Sequence, residues 1–122
     1  MWVLTTTGFY SCVATPAGEA MVRGRVPDDL SALAARLPTR PEVLETLHAD
    51  YPYRVIVPMA DWAEFLREEG AAVDYPNFKA AVDERQGVAR HAIYSSAWAV
   101  FRRLENLWNH PGEDAWDLPV DA

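Results

Sequence analysis

Lys79, Arg85, Arg90 and His91 are the residues of this chain whose types and spacing point most directly to chemistry. An imidazole can give or take a proton near neutral pH, and cationic groups beside it would hold a phosphate and stabilise developing negative charge. The same stretch contains Tyr75, Asn77, Gln86 and Tyr94, the richest polar and aromatic cluster in the sequence. If the helix before Gly87 and the helix after it form a hairpin, Lys79 or Arg85 approaches Arg90, His91 or Tyr94. His91 is then the candidate catalytic acid or base of a phosphate pocket. The structural alternative is that amphipathic helices carry such residues on solvated faces, with Tyr94 packed rather than reactive.

Tyr51, Tyr53 and Arg54, with Arg23 and Arg25 on a neighbouring strand, form a second candidate ligand site. Aromatic rings and guanidinium groups on a sheet surface can stack single-stranded bases. Against this, Tyr53 and Arg54 point to opposite faces of an ideal strand, and the sequence lacks the aromatic signature of RNA-binding sheets. Thr5, Thr6, Thr7, Tyr10, Ser11 and Cys12 make a hydroxyl-rich strand, but no Gly-x-Ser-x-Gly elbow surrounds Ser11. Cys12 lies between apolar neighbours and reads as a small core residue. Adjacent acid pairs such as Asp28-Asp29 and Glu68-Glu69 diverge on a helix and build no two-carboxylate site. His48, His91 and His110 are far apart and no Cys-x-x-Cys is present, so neither a metal nor a cofactor is expected.

Positioning these residues requires a set of short elements. Trp2 to Thr15 alternates as a strand, with Gly8 marking a bulge or a close backbone approach. Pro16-Ala17-Gly18-Glu19 is a turn, and Met21 to Val26 is a second strand placing Arg23 and Arg25 on the solvent face. Pro27-Asp28 begins a helix that Pro38 stops, with Leu30, Leu33, Ala34 and Leu37 at helical spacing. Thr39 to Ala49 suits a short helix or a packed loop. Tyr53 to Val57 is a third strand bounded by prolines. Met59 to Glu69 is a helix closed by Gly70, and a further helix runs from Pro76 to Gln86-Gly87. The longest helix spans Val88 to Trp108, with Ile93, Ala97, Val100, Phe101, Leu104 and Trp108 as its buried face. The expected fold is α+β, in the order ββαβααα: a small antiparallel sheet of about three strands with helices packed on one face.

At 122 residues, half of them hydrophobic, the chain can build a core without a disulfide or metal. Its 11 basic and 18 acidic residues give a net charge of -7, which argues against binding a phosphate backbone by bulk electrostatics. The acidity is concentrated. Residues 111–122 hold four acids and no base, leaving the remainder at 11 minus 14, or -3. The expected organisation is one α+β domain over 1–110 and an acidic tail over 111–122. In that tail Trp116 and Leu118 are candidate partner-binding anchors, unless they fold back on their own domain. No apolar run approaches a membrane span and the N-terminus lacks the pattern of a signal peptide, so a cytoplasmic location with no membrane partner is expected.

Met1-Trp2 with Thr5-Thr6 and Gly8-Phe9-Tyr10-Ser11, then Asp50-Tyr51-Pro52-Tyr53-Arg54, then Asp74-Tyr75 with Asn77-Phe78-Lys79, then Arg85-Gln86-Gly87 and Tyr94 with Trp98, form a recognisable series. It resembles a family of small uncharacterised proteins of high-GC bacteria and their phages, over most of residues 1–108. The resemblance implies an intracellular accessory protein, sometimes encoded by mobile elements, and it carries no activity or ligand. With no catalytic or cofactor motif present, the leading expectation is a non-enzymatic binding or regulatory protein acting through a protein partner or self-association. The alternative is a protein that binds or processes nucleic acid or a phosphate ligand through Lys79, Arg85, Arg90 and His91.

Overall fold

In the computed structural model, which describes residues 1–120, the N-terminal alternating run forms two strands rather than one. These are β1 (Trp2–Leu4) and β2 (Phe9–Ala14). Thr5 separates them, because its side chain offers the backbone an alternative to the ladder. Thr5 Oγ1 accepts from the amides of Thr7 at 3.1 Å and Gly8 at 3.0 Å. The Thr5 amide donates to the Gly8 carbonyl at 2.9 Å, which closes the turn. Gly8 is a close backbone approach, as expected from the sequence: a Cβ there would lie 2.6 Å from Tyr10 Oη and 2.9 Å from Asp29 Cγ.

The chain divides into two compact units, Met1–Pro76 and Asn77–Ala122. In the first, β3 (Ala20–Gly24), α1 (Pro27–Arg36), β4 (Leu44–Glu45), β5 (Tyr53–Val57) and α2 (Met59–Ala71) follow the first two strands. The five strands form one antiparallel sheet in the order β1-β2-β3-β5-β4. The α+β class holds, but the sheet is larger than about three strands and the element order ββαβααα is replaced by βββαββ before α2. Two features account for the difference: the Thr5 turn cuts one strand into two, and β4 is a two-residue pairing with no periodicity to betray it.

Tyr10, Cys12, Ala20, Val22, Val55 and Val57 alternate onto one face of the sheet, where Leu30, Leu33, Leu37, Trp62 and Phe65 of α1, its C-cap and α2 cover them. Tyr10 meets Trp62 and Phe65 edge-on, with ring centroids 6.4 and 5.7 Å apart. Arg36 links the helices by pairing with Glu68 and Glu69 while its guanidinium lies 4.6 Å from the centre of the Phe65 ring. Asp29, buried at the start of α1, accepts from the Phe9 amide at 3.0 Å and so ties that helix to β2. Gly70, expected to close α2, lies within it.

The second unit contains α3 (Phe78–Gln86), α4 (Val88–Phe101) and α5 (Arg103–Asn109). Asn77, not Pro76, sets the start of α3: its side chain accepts from the Ala80 amide at 2.8 Å. Gly87, at φ +96°, ends α3 and begins α4 in a conformation that a side chain would strain. Ala81, Val82 and Tyr94 are buried, with the Phe78 and Tyr94 rings stacked at 6.0 Å. The expected single helix over 88–108 is divided at Arg102, where the ladder tightens and the Glu105 amide donates to the Arg102 carbonyl three residues back. Its expected buried face is also corrected. Ile93, Val100, Phe101, Leu104 and Trp108 are exposed, Ile93 at 67% and Trp108 at 85%, with only Ala97 partly covered. Among the described residues no helix is long and apolar enough to cross a membrane.

Candidate functional site

The sheet face turned away from α1 and α2 brings together residues from every strand. The register aligns Trp2, Ser11, Arg23, Arg54 and Leu44 in one row across β1, β2, β3, β5 and β4. Arg23 Nη2 donates to Ser11 Oγ at 2.8 Å, and Arg54 Nη2 to the Tyr51 carbonyl at 3.5 Å. The guanidinium carbons of Arg23 and Arg25 lie 4.8 and 4.9 Å from the centre of the Tyr51 ring. Phe9 lies 6.4 Å from Tyr51 on one side and 6.4 Å from Trp2 on the other. The result is a run of aromatic rings flanked by three cations. Tyr51 is buried beneath them while Trp2 is 65% exposed.

The electrostatics of this face are unusual for an acidic protein. Residues 1–76 carry 11 acids and six bases, and three of those bases are Arg23, Arg25 and Arg54. Asp61, Glu64, Glu68 and Glu69 are on α2, behind the sheet, where Glu64 pairs with Arg67 and the last two with Arg36. Among the described residues none of the three sheet arginines has an ion-pair partner. The Nε atoms of Arg23 and Arg54 are buried and have no acceptor. A buried charged donor without an acceptor is costly.

Tyr51 and Arg54 thus belong to one surface with Arg23 and Arg25, whereas Tyr53 turns to the opposite face and packs against the core. Trp2, Phe9 and Ser11 complete the surface. Their participation follows from the β1–β2 register, which no local pattern reveals.

The residues around Gly87 have other engagements. His91 Nδ1 donates to the Lys79 carbonyl at 2.9 Å and lies 3.6 Å from Asp83, so the imidazole clasps α3 to α4. The Lys79 ammonium sits 4.3 Å from the centre of the Trp98 ring, and Arg90 Nη1 donates to Tyr94 Oη at 3.3 Å. Arg85 stands exposed in the last turn of α3, and Tyr75 is half-buried in the first unit. The two described cavities are lined by other residues. The hydroxyl-rich strand offers no activated nucleophile: burial raises the Cys12 thiol above its ordinary value, and burial holds the Tyr10 phenol up at about 12. Among the described residues no three His, Cys, Asp or Glu side chains gather where a metal could be held.

The larger of the two cavities is an open groove of about 440 Å³ beside α5, lined by Val100, Phe101, Leu104, Leu107 and Trp116 with Arg103, Glu113 and Asp114 at its rim. The acidic segment folds back to form one wall. Arg103 Nη1 donates to the carbonyls of Ala115, Trp116 and Leu118 at 3.2, 2.9 and 3.0 Å. Asn106 Nδ2 adds bonds to Ala115 and Leu118. The backbone is fixed in this way while the Trp116 ring, 5.2 Å from the Arg103 guanidinium, remains exposed and Leu118 is half-buried. Asp121 lies outside the described residues.

Compared with protein-family models, with curated proteins and with solved structures, the chain matches none. The functional reading therefore rests on these surfaces.

Proposed function

We propose that this chain is a non-enzymatic binding or regulatory protein that works as a self-associated species, two copies joined through the apolar face of α4 and α5. The observation that carries the reading is the set of exposed apolar side chains Ile93, Val100, Phe101, Leu104, Leu107 and Trp108 on α4 and α5, of which Val100, Phe101, Leu104 and Leu107 line one groove. With Trp116 these side chains present on the order of 800 Å² of apolar surface, about what one partner contributes to a standard interface. A monomer that left such a patch in water would forgo a large hydrophobic gain.

A second copy suits this patch for a reason of charge. The groove lining carries both signs, Arg103 together with Glu113 and Asp114. A self-complementary interface between two copies needs both signs in the patch, which a surface of one sign would not supply. An enzymatic reading has less support, because the imidazole of His91 is committed to the Lys79 carbonyl and the thiol of Cys12 is buried.

Sedimentation equilibrium tests the reading. The expected result is a dimer at micromolar concentration, converted to a monomer by Leu104→Glu with Leu107→Glu. Both positions are exposed, so helicity by circular dichroism stays unchanged. A wild-type chain that sediments as a monomer at high micromolar concentration would overturn it.

A further inference from the structure

We propose that the open face of the sheet binds single-stranded nucleic acid, with Trp2 and Phe9 stacking bases and Arg23, Arg25 and Arg54 holding phosphates. The residues concerned belong to the first unit and are separate from the α4–α5 stripe on which self-association rests. The row Trp2, Ser11, Arg23, Arg54 spans three strand spacings, or roughly 14 Å. Sheets of that width stack two or three bases on their exposed aromatics in known RNA-binding modules.

Charge and burial identify the ligand as an anion. Arg23 and Arg54 face one another directly across β3 and β5, an arrangement that like charges disfavour. Neither has a carboxylate partner among the described residues, and each keeps a buried Nε–H with no acceptor. A phosphodiester held over the two guanidinium groups would remove the repulsion between them.

The aromatic component identifies it as a nucleic acid rather than an acidic peptide. Trp2 projects an indole that is 65% exposed from the edge of the same row, and the half-buried Phe9 ring meets it edge-on. Neither ring is needed by the core, which lies on the other face. Tyr51 is a positioning residue: its buried ring lies against both Arg23 and Arg25, and its carbonyl accepts from Arg54. An extended strand of nucleotides would meet rings at the β1 edge and guanidinium groups at the centre. The bases supply flat faces and the backbone supplies the charge.

The test is fluorescence anisotropy of the full chain with labelled oligothymidylate and oligouridylate, alongside a DNA duplex and polyglutamate. The expected result is binding of the single strands with a log–log salt slope of about -2, as three phosphate contacts require. Trp2→Ala and Arg54→Ala should each weaken binding by about tenfold. Arg23→Lys, which keeps the charge and the fold, should weaken it severalfold through loss of the planar fork. Intrinsic tryptophan emission should be quenched on binding and respond to Trp2→Phe. Equal affinity for duplex, or binding indifferent to Trp2→Ala, overturns the proposal. So does a preference for polyglutamate, which would identify the face as an acidic-peptide site. Thermal melts of each variant separate loss of binding from loss of fold.

Discussion

Arg23 on β3 and Arg54 on β5 are direct cross-strand partners, two half-buried cations set opposite one another. Replacing one should therefore relieve a strain in the free protein. Arg54→Met keeps the length and apolar stem while removing the charge, and is expected to raise stability by about 0.5 to 1 kcal/mol in urea titrations at low salt. Inorganic polyphosphate should stabilise the wild type and leave the variant less affected. A variant less stable than wild type in the absence of anions would show that the pair is not strained.

Gly8 allows the turn between β1 and β2 to lie against Tyr10 and Asp29. Gly8→Ala places a methyl group 2.6 Å from the Tyr10 hydroxyl, and the expected cost is about 1 to 3 kcal/mol. Tyr10→Phe removes the nearest atom and should recover part of that loss. The comparison is a double-mutant cycle by chemical denaturation, and strict additivity would separate the two sites.

Burial holds the Tyr10 phenol neutral, with the nearby Asp29 and Glu69 charges acting in the same direction and a hydrogen bond with Thr7 and the Arg36 charge opposing them. Its pKa is raised to about 12 from an ordinary 10. A group whose folded value lies above its unfolded one contributes stability that is complete below the unfolded value and lost as pH rises through the folded value. Wild type should therefore lose roughly 2 to 3 kcal/mol relative to Tyr10→Phe between about pH 10 and pH 12. Parallel stability curves for the two proteins across that range would contradict the assignment.

Arg103 binds three carbonyls of the acidic segment with one nitrogen. Arg103→Ala should release residues 113–118, seen as faster amide exchange and new proteolytic cuts there, at a cost of about 1.5 to 3 kcal/mol to that local structure. Arg103→Lys should restore part of it, since an ammonium carries three donors on one nitrogen but has a shorter reach and loses the planar guanidinium over the Trp116 ring. Unchanged exchange in the alanine variant would mean that Asn106 and local packing suffice.

The parts of this fold that could be read from the sequence are those set by local chemistry. Pro27 and Pro38 bracket α1 and Pro52 and Pro58 bracket β5, because proline fixes its own φ wherever it stands, and Gly87 separates two helices because glycine takes a positive φ without strain. Thr5, in an alternating run, reads as a strand residue, and only its side-chain bonds reveal a turn. The stripe from Ile93 to Trp108 shows that periodicity reports an apolar face but not what covers it; a helix that packs on another copy carries the same pattern as one that packs on its own domain.

The candidate sites divide along the same line. Tyr51, Arg54, Arg23 and Arg25 could be grouped because they lie on or beside two strands with clear sequence patterns, β3 and β5. Trp2, Phe9 and Ser11 join them only through the β1–β2 and β2–β3 registers. Lys79, Arg90 and His91 are indeed drawn together around Gly87, but toward a backbone carbonyl and two aromatic rings rather than a shared ligand. Sequence proximity placed them near one another without specifying which atoms they would meet.

The sheet is bounded by its two shortest strands, three residues in β1 and two in β4, on either side of strands of five and six. So brief an edge offers a foreign strand almost no ladder to extend. Growth of one copy's sheet into the next is thereby discouraged at both ends. The length of two peripheral segments thus works against the fibrous alternative open to many antiparallel sheets.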